Sequence, residues 1–255
     1  MILQFALRML TGLGVTWLLM PRAAVTVGFF RIQMLVALGL SVLGTMTADQ
    51  SAAEGAPLPL SPTAVRGICI AIAVCAFVGS VLWMLGRRRA GTVCCAVITL
   101  GAGAAVLGTA SLPQATAFGH TLGIASELSA SWLIGGAVCA MLLGHWHLTA
   151  TSMSLVPLTR LTQLLLTAAA VRGILAGVGL ATVSGVNWSG VPAIWLSLRW
   201  AAGVAGPLVL GAMVLRILKY RNTQSATGVL FAAVILTFIG ETTAALLGRE
   251  FHWPL

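Results

Sequence analysis

Eight apolar segments divide this chain, and they constrain its fold more than any other feature of the sequence. Each is long enough to cross a bilayer, which requires about 17 to 25 predominantly apolar residues in a helix. The segments lie near residues 2–20, 25–46, 63–86, 91–112, 124–147, 156–183, 191–218 and 225–247. We therefore predict an all-α polytopic integral membrane helix bundle that forms a single transmembrane domain over residues 1–255.

Polar stretches rich in Pro and Gly separate these segments and predict turns. The longest such loop is predicted at 47–62, and a shorter one holds Pro113, Gln114 and His120. The first segment has no basic start and no clear A-x-A cleavage site, so we interpret it as a retained helix rather than a signal peptide.

The composition excludes an ordinary soluble domain. Hydrophobic residues make up 59% of the chain and charged residues 7%, with a mean hydropathy of +1.02. A soluble domain carries about 25% charged residues. The net charge of +9 would favour nucleic-acid binding only if basic and aromatic residues shared one folded surface. Most basic residues instead flank the apolar segments, so we expect the lipid bilayer as a partner and no nucleic acid.

The basic residues also predict an orientation, because short cytoplasmic loops are enriched in Lys and Arg. With the N-terminus outside, the inner loops collect Arg22, Arg31, Arg87, Arg88, Arg89, Arg160, Arg216, Lys219 and Arg221. Only Arg8, Arg66 and Arg249 then remain on the outer side. We predict a bacterial-type inner (plasma) membrane protein with both termini outside.

Three ionisable residues, Arg172, Arg199 and Glu241, lie well inside the last three apolar segments. A charge near the middle of a transmembrane helix costs roughly 2.5 to 3.5 kcal/mol, so it usually faces a partner or a wet cavity. Counted at about 1.5 Å per residue from the predicted inner helix ends, the three lie roughly 21 to 25 Å across the membrane. We predict an intramembrane polar site at this level, extended by Glu127 and Ser131 of the fifth segment.

Two interpretations of this site remain open. If all three groups are ionised, the site carries a net positive charge and suits an anionic substrate, a quinone oxygen or a haem propionate, because arginine donates hydrogen bonds in a fixed fork. Alternatively, Glu241 neutralises one arginine while the other snorkels or caps a carbonyl, and the network is purely structural.

A second candidate site is the His145-Trp146-His147 triplet at the inner end of the fifth segment. Residues two apart on a helix point roughly 200° apart, so the two imidazoles are expected to face different surroundings. One of them could ligate haem b, copper or iron. The alternative is interfacial histidine beside a Trp anchor. His120 and His252 belong to the outer side, so no bis-histidine haem pair is evident.

The remaining signals concern packing. Gly173 and Gly177 form a G-x-x-x-G pair that favours close helix contact, and Pro207 is expected to kink the seventh segment and shape a cavity near the charged level. The five cysteines lie in apolar runs without a C-x-x-C motif, so no metal site is indicated.

We predict from these features a membrane subunit of an electron-transfer complex that binds quinone or haem between its helices, with other membrane or peripheral subunits as partners. A small-anion transporter or permease that uses the same arginines is the alternative, and a structural or assembly subunit without chemistry is a third possibility. The chain contains no P-loop, zinc-protease motif or nucleophile elbow, so the sequence does not decide whether it is an enzyme.

Overall fold

The protein is described from a computed structural model that covers residues 1–52, 59–110, 116–150, 153–182 and 189–251. It is 90% helical, and the described residues form no strand. The α-helices are α1 (Ile2–Leu19), α2 (Val27–Ala52), α3 (Pro62–Met84), α4 (Arg88–Thr109), α5 (Ala117–Thr149), α6 (Val156–Thr182), α7 (Val191–Trp200), α8 (Gly206–Lys219) and α9 (Thr223–Phe251).

Eight helical stretches in the described residues are long and apolar enough to cross a membrane. Seven of these are single helices, and the eighth is Val191–Lys219, in which a π-helical turn joins α7 to α8. The predicted all-α fold with eight spans is therefore confirmed, and the protein is an integral membrane protein by length and apolarity of its helices.

The chain groups into two compact units, Met1–Ser111 and Leu112–Leu255, each with four of these spans. The prediction of one transmembrane domain over 1–255 stays a prediction. In the first unit α1 packs on α2 and α4, and α3 packs on α2 and α4. Its core contains a stacked ring pair, Phe30 on Trp83 with centroids 4.3 Å apart, and a hydrogen bond from Trp17 Nε1 to Gln33 Oε1 of 3.2 Å.

The two turns at the same end of the first unit are tied together by arginine. Arg88 donates from Nη1 to the carbonyl oxygen of Arg22 at 2.9 Å and from Nη2 to that of Val25 at 3.3 Å. Arg22 itself donates to the carbonyl oxygen of Leu18 at 2.7 Å. Gly86 has φ of 70°, which lets the α3–α4 turn close tightly enough to bring Arg88 there.

The second unit is organised around α5. In its apolar stretch 72% of the residues are buried, against 39% in α6, so α5 is the more enclosed helix. It packs on α6 and α9, while α9 also packs on α7, the π-helical turn and α8. Of the helices that carry the three intramembrane charges, α7 and α9 pack on each other, and α6 packs on α5, α8 and the π-helical turn, which also contact α9.

Two predicted loops are shorter than the sequence suggested. Helix α2 continues to Ala52 rather than ending near 46, because no Gly or Pro interrupts it there and Ala48 is buried in a core with Leu3, Val65 and Cys69. Helix α5 begins at Ala117, where the Thr116 hydroxyl accepts a hydrogen bond from the Gly119 amide at 3.0 Å.

Because α5 begins at Ala117, His120 lies exposed on this helix and not in the predicted loop. The predicted loop residues Glu54, Pro57, Pro113 and Gln114, and His252 beyond α9, lie outside the described residues.

Candidate functional site

The centre of the site is Glu241 on α9, whose carboxylate accepts two hydrogen bonds from the guanidinium group of Arg172 on α6. Arg172 donates from Nε to Oε1 at 3.0 Å and from Nη2 to Oε2 at 3.1 Å, so each carboxylate oxygen receives a hydrogen bond. Arg172 is 3% exposed and Glu241 2% exposed. Paired N–H groups on one carboxylate are the strongest hydrogen-bonding arrangement that arginine makes.

A second arginine reaches the same carboxylate from α7. Arg199 Nη1 donates to Glu241 Oε1 at 2.9 Å, and Arg199 is fully buried. Oε1 therefore accepts from both guanidinium groups. The structure brings together Arg172, Arg199 and Glu241, the three residues that sequence depth had placed at one level of the membrane.

The fourth member of the site is Ser126 on α5, which the sequence analysis did not single out. Its hydroxyl oxygen accepts from Arg172 Nη1 at 2.7 Å. Ser131, predicted instead, is buried and donates to the main-chain oxygen of Glu127 at 2.7 Å, and the Glu127 side chain is half-buried. The sequence did contain a signal for Ser126, because small residues spaced three and four apart along α5 mark the buried face of this helix.

Glycines bring the charged helices close enough for these contacts. A Cβ on Gly240, next to Glu241, would overlap the backbone of Gly203 in the π-helical turn. A Cβ on Gly173, next to Arg172, would lie 2.8 Å from Val204 Cγ1 in the same turn. Small residues permit this backbone approach inside a membrane. The predicted pair was Gly173 with Gly177, and a Cβ on Gly177 would lie 3.6 Å from the Trp200 ring, an ordinary contact, so of the two only Gly173 lies at a close approach.

The π-helical turn, Ala201–Ala205, lies between Arg199 and Pro207. The Gly206 amide donates to the carbonyl of Ala201, five residues back, instead of to the residue four back. Proline cannot donate to the carbonyl four residues before it and crowds that carbonyl, which disturbs the regular helix at this point. The structure shows a widened turn just before Pro207 and beside the charges, whereas the kink predicted at Pro207 stays a prediction.

The cluster holds two arginines and one acid, so it carries a net charge of about +1 when all three are ionised. All three side chains are screened from solvent by protein, and water cannot compensate a missing partner. The Glu241 carboxylate lies between the two guanidinium groups and accepts hydrogen bonds from both.

His145 and His147 are remote from this cluster. His145 is exposed and His147 is 4% exposed, so the two rings face different surroundings, as helical spacing predicts. His147 Nδ1 lies 2.8 Å from the carbonyl oxygen of Leu143, and Nε2 lies 3.1 Å from that of Ser154. Both ring nitrogens thus face backbone acceptors, and His147 lies roughly 31 Å along α5 from Ser126.

The cavity that Pro207 was expected to shape near the charged residues stays a prediction. A shallow groove of about 280 Å³ lies at the start of α6, lined by Leu155, Val156, Thr159, Arg160 and Gln163. Within the described residues, no group of three or more His, Cys, Asp or Glu side chains could hold a metal ion. Comparison with family models, curated proteins and solved structures found no match for this chain.

Proposed function

We propose that this chain is a membrane protein that binds and transports a small anion through its second unit, with Arg172 and Arg199 as the binding groups. The observation that carries the proposal is the Glu241 carboxylate seated between two buried guanidinium groups. A carboxylate is itself an anion, so the two arginines already form an anion-coordinating pair. The excess of one positive charge means that the cluster retains attraction for a further negative group.

The widened turn supports transport over a rigid structural role. Exchange of an anion for Glu241 requires the helices that hold the arginines to move slightly. The π-helical turn beside Arg199 is a non-ideal stretch of this kind, and π-helical turns occur often at functional sites. A regular helix with every backbone bond in place would resist such a movement.

The electron-transfer role stays a second proposal. It uses the same arginines, whose N–H groups suit quinone oxygens or haem propionates as well as anions. It is weaker because a haem-binding His147 would first have to give up one of its contacts with the Leu143 and Ser154 carbonyls. An oxidised and dithionite-reduced absorption spectrum of the purified protein, with quinone extraction, tests it: a haem α-band or stoichiometric quinone would favour electron transfer over anion transport.

The orientation and setting are part of the proposal. Arg22, Arg88 and the other basic residues near the same helix ends support a cytoplasmic position for those ends in a bacterial-type plasma membrane. Reporter fusions at the two termini test this arrangement, since it requires both termini outside. Other membrane or peripheral subunits remain proposed partners, to be sought by mild detergent extraction and mass determination of the intact assembly.

The direct test is anion flux in liposomes that contain the purified protein. We expect uptake of nitrate, chloride or formate above that of protein-free liposomes, and loss of most of it in Arg172→Gln and Arg199→Gln. Matched controls are Arg160→Gln on α6 and Arg216→Gln on α8, exposed arginines on the same two spans. Equal flux in the cluster and control variants would contradict the proposal, as would wild-type flux no higher than in empty liposomes.

A further inference from the structure

Glu241 is chemically unlike the rest of the cluster, because a carboxylate is the one member that can take up a proton and become neutral. Arginine stays protonated in proteins, so Arg172 and Arg199 remain fixed donors. While the Glu241 carboxylate is ionised it accepts from both at 2.9 to 3.3 Å. A protonated carboxyl would accept weaker hydrogen bonds from these two arginines, because it has lost its negative charge.

A hydroxyl group without a hydrogen bond lies one helical turn from Glu241. Thr237 is fully buried, and its Oγ1 has no hydrogen-bond partner among the described residues. Other threonines of α9 donate to the carbonyl four residues back, Thr227 to Thr223 at 2.8 Å and Thr243 to Ile239 at 3.1 Å. Side chains four apart share a helix face, so Thr237 lies on the side of α9 that carries Glu241.

We infer that Glu241 is a tethered anion that leaves the two guanidinium groups when it takes up a proton, and that a monovalent anion then takes its place. The inference rests on the proposed anion site and adds that protonation of Glu241 controls anion binding there. Protonation puts one hydrogen on a carboxylate oxygen and raises the cluster charge from about +1 to about +2. The bound anion restores about +1, so a proton and an anion bind together without net charge.

The neighbouring groups are consistent with this exchange. Glu241 is faced by Arg172 from α6, Arg199 from α7 and Ser126, through Arg172, from α5. The π-helical turn contributes no titratable side chain, and the basic residues of α8, Arg216 and Lys219, lie exposed in its last turn. The next acid on α5 is Glu127, which is half-buried. The Thr237 oxygen can accept the hydrogen bond that a neutral carboxyl donates.

The test measures proton and anion movement together in liposomes loaded with a pH-sensitive dye. We expect an inward nitrate gradient to drive proton uptake into wild-type liposomes, with about one proton per nitrate. Where protonation limits the rate, nitrate uptake should rise by up to about tenfold for each unit by which pH falls. This measurement on the wild type needs no variant and therefore does not depend on a variant's folding.

Variants then assign the effect to Glu241. Glu241→Gln imitates the neutral acid, so nitrate uptake should lose its pH dependence and bring no protons. Glu250→Gln removes an exposed carboxylate of the same helix and should behave as wild type. Thr237→Val should slow coupled uptake, whereas Thr243→Val, which removes a hydroxyl already bonded to backbone, should not.

The outcomes separate the two levels of the proposal. Nitrate uptake that is independent of pH and moves no protons, or coupling that survives in Glu241→Gln, would overturn the tethered-anion inference and leave the anion site standing. Absence of uptake of nitrate, chloride and formate by the wild type would overturn the anion site itself. Loss of coupling in Glu250→Gln as well as in Glu241→Gln would show a general charge effect and would count against Glu241.

Discussion

Each unit of the chain contains an acid paired with arginine, but in opposite surroundings. In the first unit Arg66 near the start of α3 pairs with Asp49 near the end of α2, and the side chains are 39% and 70% exposed. In the second unit Glu241 pairs with Arg172 and Arg199, and all three are buried. Exposed pairs contribute little to stability, while breaking a buried one leaves an uncompensated charge. The same chemistry should therefore respond very differently to mutation.

The largest effect is expected from Glu241→Ala. It leaves two buried guanidinium groups without their shared carboxylate, and we expect a loss of about 3 to 5 kcal/mol in the free energy of unfolding. The measurement is reversible unfolding in mixed detergent micelles. A variant as stable as wild type would show that the cluster is not a buried charge network. The buried Glu241 cluster would then differ from the exposed Arg66–Asp49 pair in position only, not in its contribution to stability.

A smaller effect is expected from Gly240→Ala. The added Cβ overlaps the backbone of Gly203, which cannot move away by changing a rotamer, so the two helices must separate. We expect a loss of about 1 to 3 kcal/mol. The control is Gly228→Ala on the same helix, where a Cβ would meet nothing within 4 Å. Equal stability of the two variants would argue against close contact at Gly203.

The polar pair in the core of the first unit should tolerate joint replacement better than single replacement. Trp17→Phe together with Gln33→Leu removes a buried donor and its acceptor at once, so neither is left without its partner, and the remaining cost is that of a smaller ring in place of the fully buried Trp17. We expect the double variant to lose less stability than Trp17→Phe and Gln33→Leu lose in sum, because Gln33→Leu alone strands the indole N–H and Trp17→Phe alone strands the amide oxygen. Thermal unfolding of the three variants checks this order.

The smallest effect is expected from Asp49→Asn. Both side chains of this pair are open to solvent, so we expect a change of no more than about 1 kcal/mol, which salt should reduce further. Parallel measurement with Glu241→Gln sharpens the comparison, because both variants remove one carboxylate charge. A loss at Asp49 as large as that at Glu241 would contradict the assignment of buried and exposed roles.

The sequence predicted the eight spans because length and apolarity alone determine whether a helix crosses a bilayer. It also placed Arg172, Arg199 and Glu241 at one level, since helical rise converts sequence distance into depth. It did not find Ser126, because depth does not say which face of α5 meets α6. It did not predict the π-helical turn either, because a proline indicates that a helix is disturbed but not which hydrogen-bond pattern results.

The bond from Arg88 to the carbonyl of Arg22 has a consequence for biogenesis, because 66 residues separate its two ends. At a translation rate of about 5 to 20 residues per second, roughly 3 to 13 s pass between synthesis of the first turn and arrival of the arginine that clamps it. During this interval the α1–α2 turn has only its own arginine, since Arg22 donates to the carbonyls of Trp17 and Leu18 while the two bonds from Arg88 are still to form.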